Sequence, residues 1–281
     1  MARLPNAIAV DAGSTDPGPY YLGSGQSFTN REAVKRDLAL IIEAGLDAEI
    51  PVLIGTAGGA GAAPHLSWCL EIVNDVLVEL NQTARVAHIE SDQMANDLIT
   101  ALHQHRISPL GPVPSLTVAD ISESTHIVAQ MGVEPVIAAL KEGAQIVVAG
   151  RCYDPAVFAA VPVMQGFSEA LALHMGKILE CAAIAAIPGS GSDCMLGTLD
   201  ASGFVLEALN PDRRCTVTSV AAHTLYEKSD PRLLPGPGGV LDLTGCQFEQ
   251  MDDRRVRVTG TQFVKSDQYT IKLEGAKPVG Y

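Results

Sequence analysis

A repeated order of short apolar runs and amphipathic stretches constrains the fold of this 281-residue chain more than any other feature. Each run is only four or five residues long, which is typical of strands buried in a parallel sheet. The stretches between the runs repeat apolar residues at helical spacing, as in Leu66, Leu70 and Val73. Strands that alternate with helices predict an α/β protein with a mostly parallel, Rossmann-like sheet flanked by helices. The predicted strands are residues 7–10, 51–54, 85–89 and 145–149.

Helix-start signals divide the stretches between the strands. Thr29 and Glu32 have the spacing of a capping box, which predicts a helix from about residue 30. Ser91 or Asp92 is predicted to cap a helix that reaches about His105. The proline-rich residues 108–115 are predicted to form a connection, and further helices are predicted at residues 117–131, 134–142 and 168–186.

The pattern changes after residue 188, where a Gly/Ser-rich segment begins. Short alternating strands are then predicted between Gly/Pro turns, with one helix at residues 218–226. We therefore predict two domains: an α/β domain over residues 1–188 and a smaller β-rich subdomain over residues 189–281. Because a predicted strand runs to the chain end, we expect this subdomain to continue in longer relatives. The predicted strands include residues 204–206, 255–259 and 269–273.

Composition and charge narrow the classes of partner. Hydrophobic residues make up 47% of the chain and charged residues 18%, a balance that excludes intrinsic disorder. A net charge of −13 without a basic patch argues against nucleic acid and anionic membrane as partners. The sequence has neither a signal-peptide pattern nor a membrane-spanning apolar run, and its six cysteines lack a C-x-x-C pair. We therefore expect a cytoplasmic protein that acts on a small molecule.

A glycine-rich loop follows the second predicted strand. Four glycines lie within residues 55–61, directly before a helix, and this pattern favours an anion site built from backbone N–H groups. Gly58, Gly59 and Gly61 are the candidate binding residues. The alternative is a tight turn that packs the helix on the strand. His65, in the first turn of that helix, is either an acid/base group or an ordinary first-turn residue.

Acidic and hydroxyl side chains follow the first predicted strand. Asp11 and Asp16 are candidate acid/base residues, because two carboxylates in different environments can divide these roles. Ser14 and Thr15 are candidate substrate-binding residues. The alternative is an ordinary turn with N-cap chemistry.

Charged residues also follow the third and fourth predicted strands. Glu90 is a candidate binding residue at the third strand, and Arg151 and Asp154 are candidate catalytic residues at the fourth. An arginine there can clamp a carboxylate or phosphate through two parallel hydrogen bonds. The alternative is an Arg–Asp pair that only fixes the loop. A divalent cation is left unassigned.

Two further candidates lie in the predicted β-rich subdomain. Ser190, Ser192 and Asp193 form a second glycine-rich binding loop, but G-S-G-S-D is not a nucleophile elbow. Lys228 is a candidate catalytic residue that would stabilise the charge of an enolate or carboxylate. Its position at a predicted helix C-terminus is equally expected from the helix dipole.

Several of these segments resemble the acyclic terpene utilisation family AtuA. The resemblance implies a catabolic setting, in which citronellol-type terpenes are degraded through CoA esters, and relatives that are longer than this chain. It also implies a small companion subunit, associated with ammonia-lyase annotation in some relatives. It implies no particular reaction. The resemblance is carried by residues 11–20, 58–61, 149–156, 174–181, 189–194 and 223–231.

Residues and resemblance together predict a catabolic lyase or isomerase that removes a proton next to the carbonyl of a small carboxylic acid or acyl-CoA. No dinucleotide fingerprint is present, so no nicotinamide or flavin cofactor is expected. We expect a homo-oligomer. The main alternative is a non-catalytic subunit that binds a CoA ester or holds a partner enzyme. Metal-assisted hydrolysis and a self-assembling structural protein are left open.

Overall fold

The computed structural model describes residues 4–226 and 230–279. In this part of the chain the α-helices are α1 Pro19–Ser24, α2 Arg31–Asp47, α3 Ala63–Glu79, α4 Ala95–His103, α5 Val118–Glu123, α6 Glu134–Lys141, α7 Ala156–Met164, α8 Glu169–Leu179 and α9 Val217–Thr224. The strands are β1 Ile8–Asp11, β2 Val52–Gly55, β3 Val86–Ile89, β4 His126–Ala129, β5 Ile146–Ala149, β6 Met195–Leu199, β7 Gly203–Ala208, β8 Leu233–Gly236, β9 Gly239–Asp242, β10 Gln247–Gln250, β11 Arg255–Thr259, β12 Gln262–Lys265 and β13 Leu273–Ala276. None of the helices in these ranges is both long and apolar enough to cross a bilayer.

The chain divides into two compact units that interleave along the sequence. The parallel-sheet unit consists of Ala12–Met131, Ala139–Cys152 and Ile271–Tyr281. The β-rich unit consists of Met1–Asp11, Gly132–Ala138 and Tyr153–Thr270. The domain boundary between residues 188 and 189 stays a prediction.

In the parallel-sheet unit, β5 lies between β2 and β3 and runs parallel to both. Ile146 of β5 is the register partner of Val52 on one side and of Val86 on the other. All residues of β2 and β5 are buried, as expected for strands covered on both faces. Helix α2 packs on β2 and α3 packs on β5. The predicted α/β sheet flanked by helices is confirmed.

In the β-rich unit the sheets are antiparallel. One has the order β10-β11-β7-β6 and the other β12-β9-β8. Helix α8 covers the first sheet, and its Met175 and Ile178 share a buried cluster with Phe204 and Val256. These sheets confirm the predicted β-rich C-terminal part.

Residues 126–129 correct the predicted helix over residues 117–131. Helix α5 ends at Glu123, and the chain continues into β4, which pairs antiparallel with β13. Ala129 lies opposite Leu273 in this ladder. The pairing requires a partner far away in sequence, so no local signal marks it. The predicted strand over residues 269–273 begins later, at Leu273.

The predicted ends of three other helices are also wrong. Asn30, rather than Thr29, caps α2, because its side chain accepts the N–H groups of Glu32 and Ala33 at 3.0 and 3.1 Å. Helix α4 begins after Met94, so neither Ser91 nor Asp92 caps it. The predicted helix over residues 168–186 ends as α8 at Leu179. Beyond that end a short 3-10 helix spans Ala182–Ile184, and the Ala185 carbonyl accepts the Ser219 hydroxyl at 2.8 Å.

Candidate functional site

The loops that follow the strands meet at one edge of the parallel-sheet unit. The Ala12 N–H, just after β1, donates to the Gly55 carbonyl at the end of β2 at 2.8 Å. The Thr56 N–H donates to the Gly150 carbonyl at 3.0 Å, and the Gly150 N–H donates to the Ile89 carbonyl at 2.8 Å. Hydrogen bonds therefore link the loops after β1, β2, β3 and β5, as parallel-sheet geometry predicts.

Two glycines allow the loop backbones to touch. A Cβ atom on Gly13 would lie 2.1 Å from the Gly59 carbonyl oxygen. A Cβ atom on Gly61 would lie 2.2 Å from the backbone nitrogen of Arg151, and Gly61 also has a φ of +74°. Any other residue at these positions would push the loops apart. Gly13 and Gly61 therefore allow the loops after three strands to pack against one another.

The N–H groups of the glycine-rich loop are partly occupied by the loop itself. The Gly59 N–H donates to the Thr56 carbonyl at 3.2 Å, and the Gly61 N–H donates to the Ala57 carbonyl at 3.1 Å. At the start of α3, the Ala63 N–H donates to the Asp92 carboxylate at 2.6 Å. A protein carboxylate thus caps the helix end where the sequence predicts an anion. The binding role of Gly58, Gly59 and Gly61 stays a prediction.

Ser91 is a connecting residue that sequence reasoning did not single out as part of the site. Its side chain is buried, and its hydroxyl donates to the Gly61 carbonyl at 2.8 Å. The same oxygen accepts the Arg151 N–H at 2.8 Å. One hydroxyl therefore joins three loops. In the sequence, Ser91 stands before a helical pattern, and this position predicts a helix cap rather than a link between loops.

Thr56 is a second residue that the sequence did not reveal. It is fully buried and left-handed, with φ 46° and ψ 47°, a strained conformation for a β-branched side chain. Such strain costs on the order of 1–3 kcal/mol and clusters at functional sites. Its hydroxyl oxygen accepts the Cys152 N–H and the Arg151 guanidinium, each at 3.3 Å. The strained residue therefore connects the ends of β2 and β5.

Arg151 is buried and paired with a carboxylate inside the parallel-sheet unit. Its Nε donates to Glu274 Oε2 at 2.6 Å, and its Nη1 donates to the Cys152 carbonyl at 2.6 Å. Glu274 also pairs with Lys272 at 2.6 Å. Burial favours the neutral acid, but Arg151 and Lys272 outweigh it, so the pKa of Glu274 lies below its usual value. Arg151 thus has Glu274 as a buried carboxylate partner within this unit, and the pair with Asp154 stays a prediction.

His65 is enclosed beneath the glycine-rich loop. Its side chain is fully buried, and its Nε2 lies 3.2 Å from the Gln26 carbonyl. Its Nδ1 makes no hydrogen bond to any part of the chain that the structure describes. Burial lowers the pKa of His65, which favours the neutral imidazole. Because the Gln26 carbonyl can only accept, Nε2 carries the ring proton and Nδ1 is a proton acceptor, so an acid/base role stays a prediction.

The remaining candidates of the parallel-sheet unit lie at the loop surface. Asp16 and Glu90 are exposed, while Ser14 and Thr15 are half-buried. The Asp16 N–H donates to the Ser14 hydroxyl oxygen at 3.0 Å, which fixes the loop locally. Asp16 is therefore a solvent-accessible carboxylate on the loop whose Gly13 contacts the glycine-rich loop.

The other candidates belong to the β-rich unit or lie outside the described residues. Asp11 ends β1, and Asp154 precedes α7. In the second glycine-rich loop, Ser190 donates to the Ser192 carbonyl at 3.0 Å, and Asp193 pairs with Arg213 at 2.8 Å. Hydrogen bonding to Arg213 lowers the pKa of Asp193. Lys228 lies outside the described residues.

The β-rich unit contains a buried ion pair that the sequence analysis missed. Lys177 has a side chain that is 1% exposed and pairs with Glu180, whose side chain is 3% exposed. The ammonium lies 5.7 Å from the centre of the Tyr226 ring. Burial lowers the pKa of nearby His174 to about 3, so this histidine is neutral. Helical spacing marks position 177 as inward-facing, but nothing local marks a buried charge.

Comparison with known proteins gives one family. The model described as "Acyclic terpene utilisation family protein AtuA" matches residues 32–191 and 199–281. No curated protein and no solved structure matches the chain. Within residues 4–226 and 230–279, no three His, Cys, Asp or Glu side chains are arranged so that they could hold a metal ion.

Proposed function

Because the chain belongs to the acyclic terpene utilisation family AtuA, we propose that it is a catabolic lyase or isomerase that acts on a small carboxylic acid or acyl-CoA. In this proposal the enzyme removes a proton next to the substrate carbonyl, at the joined loops of the parallel-sheet unit. One observation carries the proposal: loops from four strand ends are hydrogen-bonded together at one edge of the unit.

Asp16 is the proposed general base. Proton abstraction needs an accessible group within hydrogen-bond reach of the substrate, and the Asp16 carboxylate is exposed on its loop. The hydroxyls of Ser14 and Thr15, on the same loop, are the proposed donors to the substrate carboxylate or thioester oxygen. His65 is the proposed second acid/base group, because its Nε2–H faces the Gln26 carbonyl and its unpartnered Nδ1 can accept a proton.

Exchange of substrate protons with solvent tests this function without knowledge of the final product. The protein is incubated in D₂O with a panel of CoA esters, including that of a citronellol-derived acid, and with small carboxylic acids. We expect at least one compound to gain deuterium next to its carbonyl, detected by mass spectrometry, because abstraction and return of the proton are reversible. The proposal is wrong if every compound that binds keeps its protons.

A second function is favoured by the internal pairing of the expected anion-binding groups. Arg151 is matched by Glu274, and the Gly59 and Gly61 N–H groups have loop partners. These contacts suit a non-catalytic subunit that binds a CoA ester or holds a partner enzyme. Saturable binding in calorimetry without any proton exchange would support this alternative.

A further inference from the structure

The β-rich unit contains a cavity that none of the proposed chemistry uses. Its volume is about 320 Å³, which lies at the lower end of the range for small-molecule pockets. It lies where residues 187–188, residues 211–214 and residues 253–254 approach one another. Its lining includes the apolar residues Ile187, Pro188 and Pro211 and the basic residues Arg213, Arg214 and Arg254.

Arg254 is held rigidly by neutral acceptors. Its guanidinium donates to the carbonyls of Pro211 at 2.6 Å, Asn210 at 2.8 Å and Ala208 at 2.9 Å. Backbone carbonyls accept three of its five N–H donors and bring no negative charge. The positive charge of Arg254 therefore stays at the cavity in a fixed position, as in preorganised anion sites.

Arg213 and Arg214 differ in how much of their charge is matched. Arg213 donates to the Pro188 carbonyl at 2.8 Å and pairs with Asp193 at 2.8 Å, so a carboxylate balances it. Arg214 is exposed, and its guanidinium has no hydrogen bond or ion pair with any residue that the structure describes. Five donors of Arg214 are thus available to a ligand.

Two carboxylates limit what the cavity can accept. Asp212 and Asp253 also line it, and both are exposed. They repel large polyanions, in keeping with the net charge of −13. A compact ligand with a single anionic group is repelled less than a polyanion is, and it can still bind the guanidinium groups.

We propose that this cavity binds a small ligand through one phosphate or carboxylate group held by Arg214 and Arg254. The shared chemistry is an oxyanion that accepts charge-assisted hydrogen bonds from guanidinium donors. The apolar side chains of Ile187, Pro188 and Pro211 are the proposed contacts for the uncharged part of the ligand. This proposal does not depend on the function proposed for the parallel-sheet unit.

Calorimetric titration of the full chain with inorganic phosphate, methyl phosphate and propionate tests the proposal. We expect saturable binding of at least one probe, and the stronger probe identifies phosphate or carboxylate as the preferred group. Arg214→Ala is expected to weaken binding about tenfold, because it removes charge-assisted hydrogen bonds. Arg232→Ala is the matched control, since Arg232 is an exposed arginine of the same unit away from the cavity lining, and it should leave the affinity unchanged.

A second variant is expected to change the affinity for the probe in the opposite direction. Asp253→Asn removes a negative charge from the cavity and is expected to tighten binding several-fold, whereas Asp267→Asn, an exposed aspartate away from the cavity, should have no such effect. The proposal is overturned if no probe binds saturably. It is equally overturned if Arg214→Ala and Arg232→Ala weaken binding alike, or if Asp253→Asn weakens it.

Discussion

Replacing Glu274 with alanine is expected to lower the free energy of unfolding by about 3–5 kcal/mol. The side chain of Glu274 is 7% exposed and that of Arg151 is 3% exposed, so the substitution leaves a buried guanidinium without this carboxylate partner. The substitution also removes the ion pair between Lys272 and the same carboxylate. Chemical denaturation at pH 7 measures the effect. Glu142→Ala, which removes an exposed glutamate of the same unit, is the control and should change stability by less than about 0.5 kcal/mol.

The stabilisation that the Glu274 carboxylate provides depends on pH with a definite sign. The pKa of Glu274 in the folded protein lies below the ordinary value of 4.5, so its ionised form stabilises the fold. This contribution is fully present above pH 4.5 and is lost as the pH falls through the lower, folded-state pKa. The stability difference between the natural protein and Glu274→Gln is therefore expected to shrink below pH 4.5. A difference of less than 1 kcal/mol for Glu274→Ala at pH 7 would show that Arg151 does not depend on this pair.

Replacing Asp16 with asparagine is expected to reduce deuterium incorporation into the substrate by about 10²- to 10⁴-fold, the usual contribution of a general base. Asparagine has nearly the same shape but cannot accept the proton. Asp16 is exposed, and the hydrogen bond shown for it uses its backbone N–H, so the fold should be unaffected. The rate is measured by mass spectrometry in D₂O.

Asp47→Asn is the matched control for this experiment. Asp47 is an exposed aspartate at the end of α2 in the same unit, and its replacement removes the same charge. We expect this variant to exchange substrate protons at the natural rate. If Asp16→Asn also retains the full rate, Asp16 is not the base, and His65 becomes the residue to replace next.

The sequence predicted the parallel sheet because its strands carry their own signal. Residues 52–55 and 146–149 are buried on both faces, and such strands appear as uninterrupted apolar runs. Each run is followed directly by a loop, so the meeting of the strand ends follows from the topology alone. The general position of the loops was therefore accessible without coordinates.

The partners of the loop residues could not be predicted in the same way. Glu274 lies 123 residues after Arg151, and its strand β13 pairs with β4, which the local pattern assigned to a helix. The left-handed conformation of Thr56 is imposed by its contacts with the end of β5, and an isolated threonine gives no sign of it. The hydrogen-bond partners of Arg151 and Thr56 thus depend on contacts between residues far apart in the sequence, which no local pattern predicts.

Amide hydrogen exchange of the full chain tests most directly whether the joined strand-end loops form one binding site. Exchange is measured with and without the CoA ester or acid from the panel that binds most tightly. We predict that the ligand slows exchange together in residues 12–16, 56–61 and 150–152. Slowing that is confined to residues 189–270, with these three loops unchanged, would contradict a single site at the loops.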